Sequence, residues 1–207
     1  GLANNHSANQ GRAGITKTKE ILELAGIGWA GDPNKIESDG VKRFIKGDVT
    51  VALIAVNVFT GVKGTEELIK AEKSKNNFVI VLPHWGNEYE TAHNASQEAM
   101  ARVWLKAGAD LIIGGHPHVA QDAQIIDGKL VIYSLGNFIF DQMFSDQTQQ
   151  GLILSGSISA GKLKIKLIPV IAKKMKPEIM TGADKEKIID RVCRPLGDYC
   201  RAGQIEL

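Results

Sequence analysis

Three apolar runs constrain this chain more than anything else in it: Val49–Asn57 (VTVALIAVN), Phe78–Pro83 (FVIVLP) and Leu111–Ile113 (LII). Each is rich in β-branched residues and short, the pattern of a strand buried on both faces. Helical stretches lie between them. Thr65–Lys75 is a charged surface helix, and Asn94 or Ser96 can cap a helix running to about Ala107 and stopped by Gly108. Upstream, Gly14–Ala25 (GITKTKEILELA) gathers Ile15, Ile21, Leu22, Leu24 and Ala25 on one face, with Thr16 as cap and Gly26 as stop. Downstream, Leu130–Ser134 (LVIYS) is a fourth strand, and Phe138–Phe140 is apolar enough to start another. Alternating strands and helices predict a mixed α/β fold.

After residue 150 the pattern changes. Gly151–Ser159 and Lys162–Val170 read as two strands joined by Ala160-Gly161, and in the second Leu163, Ile165 and Leu167 alternate with lysines. That period of two marks a half-exposed strand in an antiparallel hairpin. A helix over Asp184–Val192 follows. A chain of 207 residues accommodates one large domain with a tail. Residues 1–172 are assigned to the domain and 173–207 to a helical tail.

Composition excludes some functions. Lys+Arg 25 against Asp+Glu 23 leaves a net charge of +2, which gives no electrostatic ground for a nucleic-acid partner. The cluster Lys173, Lys174 and Lys176 reads as a solvated tail. No apolar run approaches the roughly 18–20 residues of a membrane span. Cys193 and Cys200 lack nearby histidines and make a poor zinc site. They either close a small disulfide loop in an oxidising compartment or remain free thiols.

The chemistry-bearing residues sit just past strand ends. His84-Trp85-Gly86 follows FVIVLP, His116-Pro117-His118 follows LIIGG, Gly136-Asn137 follows LVIYSL, and Asn4-Asn5-His6 lies at the start. Ligands of open α/β sheets bind outside the carboxyl ends of strands. Imidazole nitrogen and amide oxygen both suit borderline divalent metals. Two histidines two residues apart in an extended segment face the same side, so His116 and His118 can reach one ion or two neighbouring ions. Four of the five histidines fall in strand-end loops, which predicts a shared metal site; His93, before the helix, is expected to be exposed.

Taken together and in order, ANNHSANQGRAGITKTKEILELAGI, HWGNEYE and LKAGADLIIGGHPHVAQ…LVIYSLGNFIFD resemble the bacterial capsule-synthesis family, the poly-γ-glutamate biosynthesis (CapA-type) domain of the calcineurin-like metallophosphoesterases. The resemblance covers roughly Gly1–Val170. It implies a metallophosphoesterase-like four-layer α/β/β/α sandwich with a two-metal site holding Mn, Fe, Zn or a similar ion. By motif it implies Asn5, His84 and His116 as ligands of one metal and His118 as a ligand of the other. His6 would contact the substrate phosphate or protonate a leaving group, and Glu88 and Asn137 would lie beside the site. The implied function is capsule or poly-γ-glutamate biosynthesis with phosphoesterase-like chemistry; the alternative is a non-catalytic metal site that positions an anionic polymer during export or assembly. The implied partners are an anionic polymer or a phosphoester, together with capsule-export membrane proteins. The implied location is extracytoplasmic, at the cell surface or on the membrane.

Two departures qualify it. The family opens with a Gly-Asp strand and an Asn-Leu-Glu segment that supply acidic ligands, whereas this chain starts inside a later motif, so it is expected to be an N-terminally truncated form with an incomplete sandwich. Central strands lost in that way would leave sheet edges unpaired and prone to association. Asn9 also stands where the family usually has Asp. Asn5, His84, His116 and His118 are all neutral ligands, and two dications about 3.5–4 Å apart need a carboxylate between them. The expectation is therefore at most one tightly bound metal here and two in a longer parent.

Overall fold

The computed structural model of the chain describes residues 1–159 and 162–207. Among them the strands form two sheets in a mixed α/β fold. The chain divides into two compact units: Gly1–Trp85 with Met100–Ile112, and Gly86–Ala99 with Ile113–Leu207.

The first unit contains α1 (Gly11–Leu24), β1 (Lys42–Lys46), β2 (Val49–Asn57), α2 (Thr65–Lys73), β3 (Phe78–His84), the end of α3 (Ala95–Ala107) and β4 (Leu111–Ile113). β2 and β3 pair in parallel from Val51↔Phe78 to Asn57↔His84, and β4 continues beside β3. Parallel strands are covered on both faces. Burial is continuous over Ile54–Asn57 at the end of β2 but alternates in β3, where Val79, Val81 and Pro83 are buried and the residues between them half-buried; the register leaves His84 at the carboxyl end of β3. β1 is a strand that burial patterning could not reveal, because its residues are half-buried or exposed; it folds back on β2 through the two-residue loop Gly47-Asp48, with Gly47 at φ 58°. α1 starts before the expected Gly14, so Thr16 lies within the helix and Gln10 occupies the cap position. Only part of its apolar face is covered: Ile15 is buried, while Ile21 and Leu24 are exposed. The cap of α3 is Asn94 and not Ser96: its Oδ1 accepts from Gln97 N at 2.9 Å, while Gln97 Oε1 accepts from Asn94 N at 3.0 Å.

The second unit contains β5 (Ala123–Ile126), β6 (Lys129–Ile132), β7 (Gln150–Ser159), β8 (Lys162–Lys173), β9 (Lys176–Ile179), α4 (Gly182–Cys193), β10 (Cys200–Arg201) and β11 (Gln204–Glu206). β5 and β6 form a hairpin across Asp127-Gly128, both at positive φ, the signature of a type I′ turn. β7 and β8 pair antiparallel from Gln150↔Ile171 to Ser159↔Lys162; the expected link at Ala160-Gly161 lies outside the described residues. Leu163, Ile165 and Leu167 are buried and the lysines between them exposed. β9 and β11 both pair with β8, and the lysine cluster is exposed at the β8–β9 turn. Phe138–Phe140 is not a strand. Leu135 and Gly136 make isolated bridges to Ala120 and Gly151, after which the chain turns outward and all three residues are exposed.

Among the described residues no helix is long and apolar enough to cross a membrane. Cys193 and Cys200 are joined as a disulfide that links the end of α4 to β10. Closing a loop of this length restricts the unfolded chain, so Cys200→Ser should cost about 2.5 kcal/mol in urea unfolding under oxidising conditions. An unchanged unfolding midpoint would refute that contribution.

Candidate metal centre

The site residues fall into two groups, one in each unit. In the first unit the β2–β3 register carries His84 to the strand end, where its Nε2–H donates to Asn5 Oδ1 at 2.8 Å. Two ligands bound at about 2.1 Å and at right angles lie about 3 Å apart, so these two atoms have the spacing of neighbours on one ion. Asn5 and His6 belong to a turn organised by Asn4, whose Oδ1 accepts from His6 N at 2.9 Å and from Ser7 N at 2.8 Å. His6 is exposed, and its Nδ1 lies 3.2 Å from Asn9 Nδ2. Asn9 thus engages His6 as a neutral amide where a family carboxylate would add charge.

In the second unit Glu88, His116 and His118 come together, with one donor atom from each within 4.8 Å of the others. A carboxylate and two imidazoles form a donor set that fits a divalent ion of the Mn, Fe or Zn kind. Glu88 was expected beside the site; its carboxylate lies within the cluster, so the assembled donors are not all neutral. His118 Nε2 is 4.0 Å from Glu88 Oε1.

Asn137 orients His118. Asn137 Nδ2 faces two acceptors, Thr148 O at 2.9 Å and Gln142 Oε1 at 3.2 Å, which turns Asn137 Oδ1 toward His118 Nδ1 at 2.9 Å. The imidazole therefore carries its proton on Nδ1 and leaves the lone pair on Nε2, the tautomer a metal ligand needs. Glycine at position 151 is required for this placement: a Cβ there would lie 2.0 Å from Asn137 O.

His116, His118 and Tyr89 adopt φ of 101°, 60° and 66°, in the left-handed region that costs non-glycine residues about 1–2 kcal/mol each. Tyr89 N donates to Pro117 O at 2.8 Å, which ties the Glu88 loop to the segment carrying both histidines. The Tyr89 phenol is pushed above its usual range by desolvation and by the neighbouring Glu88 carboxylate, with Gln142 opposing.

His93 is not exposed as expected. Its side chain is 19% accessible, it stacks on Tyr133 at 3.9 Å, and Asp122 accepts from both its N and its Nδ1 at 2.9 Å. Gln121 is fully buried and bonded to the Glu88 loop. The sequence offered only the adjacency of Gln121-Asp122 to His-Pro-His, too little to single them out.

The family described as "Bacterial capsule synthesis protein PGA_cap" matches residues 1–142. The capsule biosynthesis protein CapA of Bacillus anthracis is 29% identical over 211 residues, which is 90% of this chain and 51% of the relative. The PGA biosynthesis protein CapA of Bacillus subtilis (strain 168) is 29% identical over 214 residues, covering 91% and 55%. The chain thus spans about half the length of these curated relatives. A novel phosphatase from Mycoplasma pneumoniae aligns with a TM-score of 0.42 at 15% identity over 79% of this chain and 75% of that one, a likeness too slight to assign the fold. The ordered motifs, and a family match that extends from the Asn-Asn-His turn past Asn137, establish that the chain belongs to the bacterial capsule synthesis protein family.

Proposed function

We propose that the chain serves capsule or poly-γ-glutamate biosynthesis through a divalent-metal site with phosphoesterase-like chemistry. The observation that carries this reading is the Glu88–His116–His118 cluster, with the His118 tautomer fixed by Asn137. A divalent ion held there would supply positive charge to a phosphoryl oxygen and acidify a bound water. Asn5 and His84 offer a further pair of metal donors. His6, exposed and held by Asn4 and Asn9, is assigned the proton or hydrogen bond given to the substrate phosphate. One tightly held ion is proposed for this chain. The proposed substrate is a phosphoester, and the proposed partners are an anionic polymer and capsule-export membrane proteins at the cell surface. Membership of the capsule family, and the capsule and PGA biosynthesis named for its relatives, support that setting.

The test is hydrolysis of an aryl phosphate with added Mn²⁺. His6→Ala should lower the rate by about 10²-fold or more, within the range for general acid–base groups, with metal content unchanged. Poly-γ-glutamate binding without turnover would overturn the catalytic assignment and favour a site that positions the polymer. Equal rates for wild type and His6→Ala would remove His6 from the chemistry.

A further inference from the structure

We infer that His93, Asp122 and Gln121 are positioning residues for Glu88, setting its carboxylate against His116 and His118. The inference rests on the metal-site reading above and adds to it the device that assembles the site.

The Glu88 carboxylate is exposed at the end of a flexible side chain. Its place depends on the backbone that carries it, a loop between β3 and α3. That loop is laced, residue by residue, to the segment bearing the histidines. Tyr89 N donates to Pro117 O, between His116 and His118, at 2.8 Å. The Gln121 amide donates to Glu90 O at 2.9 Å and to Ala92 O at 3.0 Å. Asp122 accepts from His93 N and Nδ1, both at 2.9 Å.

The ties run in the same order along both segments: 89 with 117, 90 and 92 with 121, and 93 with 122. They fasten residues 89–93 to residues 117–122 immediately beside the three donors. The lacing is itself anchored. Gln121 Oε1 accepts from Gln97 Nε2 at 2.9 Å, and Gln97 belongs to the capping box of α3. The His93 ring lies on Tyr133 at 3.9 Å, and Tyr133 OH donates to Gln124 Oε1 at 2.7 Å. Polar chains of this kind, largely shielded from water, rigidify the backbone they join when their members are paired. Holding three donors within one ion's reach before the ion arrives removes the ordering cost from binding. Partners behind a metal ligand commonly change affinity by about 10–100-fold when removed.

The experiment is calorimetric titration of the full chain with Mn²⁺. His93→Ala should weaken binding about tenfold. His93→Asn, whose amide can donate to Asp122 from nearly the place of Nδ1, should bind within about twofold of wild type. Should His93→Ala not fold, Asp122→Asn takes its place, because an amide cannot accept both His93 bonds; it too should weaken Mn²⁺ binding severalfold. Asp110→Asn serves as a control: in the first unit it loosens the Lys73 and Val79 N contacts of Asp110. It should lower the melting temperature without changing Mn²⁺ affinity. Unchanged affinity in His93→Ala, or an equal loss in the Asp110 variant, would overturn the positioning role while leaving the metal site standing. A wild-type chain that binds no Mn²⁺ would overturn both.

Discussion

Replacing His118 with alanine should lower the chain's affinity for Mn²⁺ or Zn²⁺ by at least about a hundredfold, because it deletes one of the three donors clustered among the described residues. The loss should exceed that of any neighbouring substitution. Asn137→Ala leaves the imidazole in place but removes the acceptor of its Nδ1–H, so a loss of about tenfold is expected there. Glu88→Gln keeps an oxygen donor and removes the negative charge, the one charged group in the cluster, and should fall between the two. Wild type should saturate near one equivalent. Two tight equivalents would mean that a second ion is stabilised by acidic groups not identified in this site. Metal binding undiminished in His118→Ala would remove the cluster from consideration.

The elements that position this site were legible where burial imposed a pattern. β2, β3 and β4 read directly from their apolar runs, because strands of a parallel sheet are mostly covered and carry few polar residues. β7 and β8 read from continuous and alternating patterns. The missed strands are short, exposed or defined by turns: β1 carries no apolar face, and β5, β9, β10 and β11 span four residues or fewer. The turn chemistry could have found one of them. Asp127-Gly128 between Ile125-Ile126 and Leu130-Val131 is a type I′ signal, and it marks the β5–β6 hairpin. At the site, His116 and His118 come together as their spacing suggests, but not by the extended geometry expected of the segment, since their φ angles are 101° and 60°. The contribution of Glu88 to that cluster was not legible, because it arises from a loop folding across 28 positions of sequence. His93 misled for the same reason. Its burial is created by Asp122 and Tyr133, both distant in the chain, and a histidine beside a helix cap carries no mark of a partner it meets only after folding.

Arg43→Ala should destabilise the chain by about 3 kcal/mol, from the penalty of leaving a buried charge without its partner. Glu72, on α2, is fully buried, and its carboxylate accepts from Arg43 Nε at 2.7 Å and Nη2 at 2.6 Å in a bidentate pair that reaches across from β1. Asn76 adds a weaker bond at 3.2 Å and cannot neutralise the charge. For a chain of this size a loss of 3 kcal/mol lowers the melting temperature by roughly 6–12 °C. The acid dependence follows from the same contact. The Arg43 hydrogen bonds outweigh desolvation and hold the Glu72 carboxyl below its usual range. A group whose folded value is depressed stabilises above its unfolded value, about 4.3 for Glu, and that contribution is lost as pH falls through the folded value. The difference between wild type and Arg43→Ala, measured by urea unfolding, should therefore be full at pH 7 and shrink as pH falls, first as the unpaired Glu72 of the variant takes up a proton and then below about pH 4 as the wild-type contribution is lost. A difference independent of pH would assign the loss to the packing of the Arg43 stem instead of its charge. The paired variant Arg43→Met with Glu72→Leu should recover most of the stability, since removing both charges also removes the desolvation penalty of each. If it does not, the pair fixes how β1 and α2 dock, and the charge at position 72 is there to select that one arrangement.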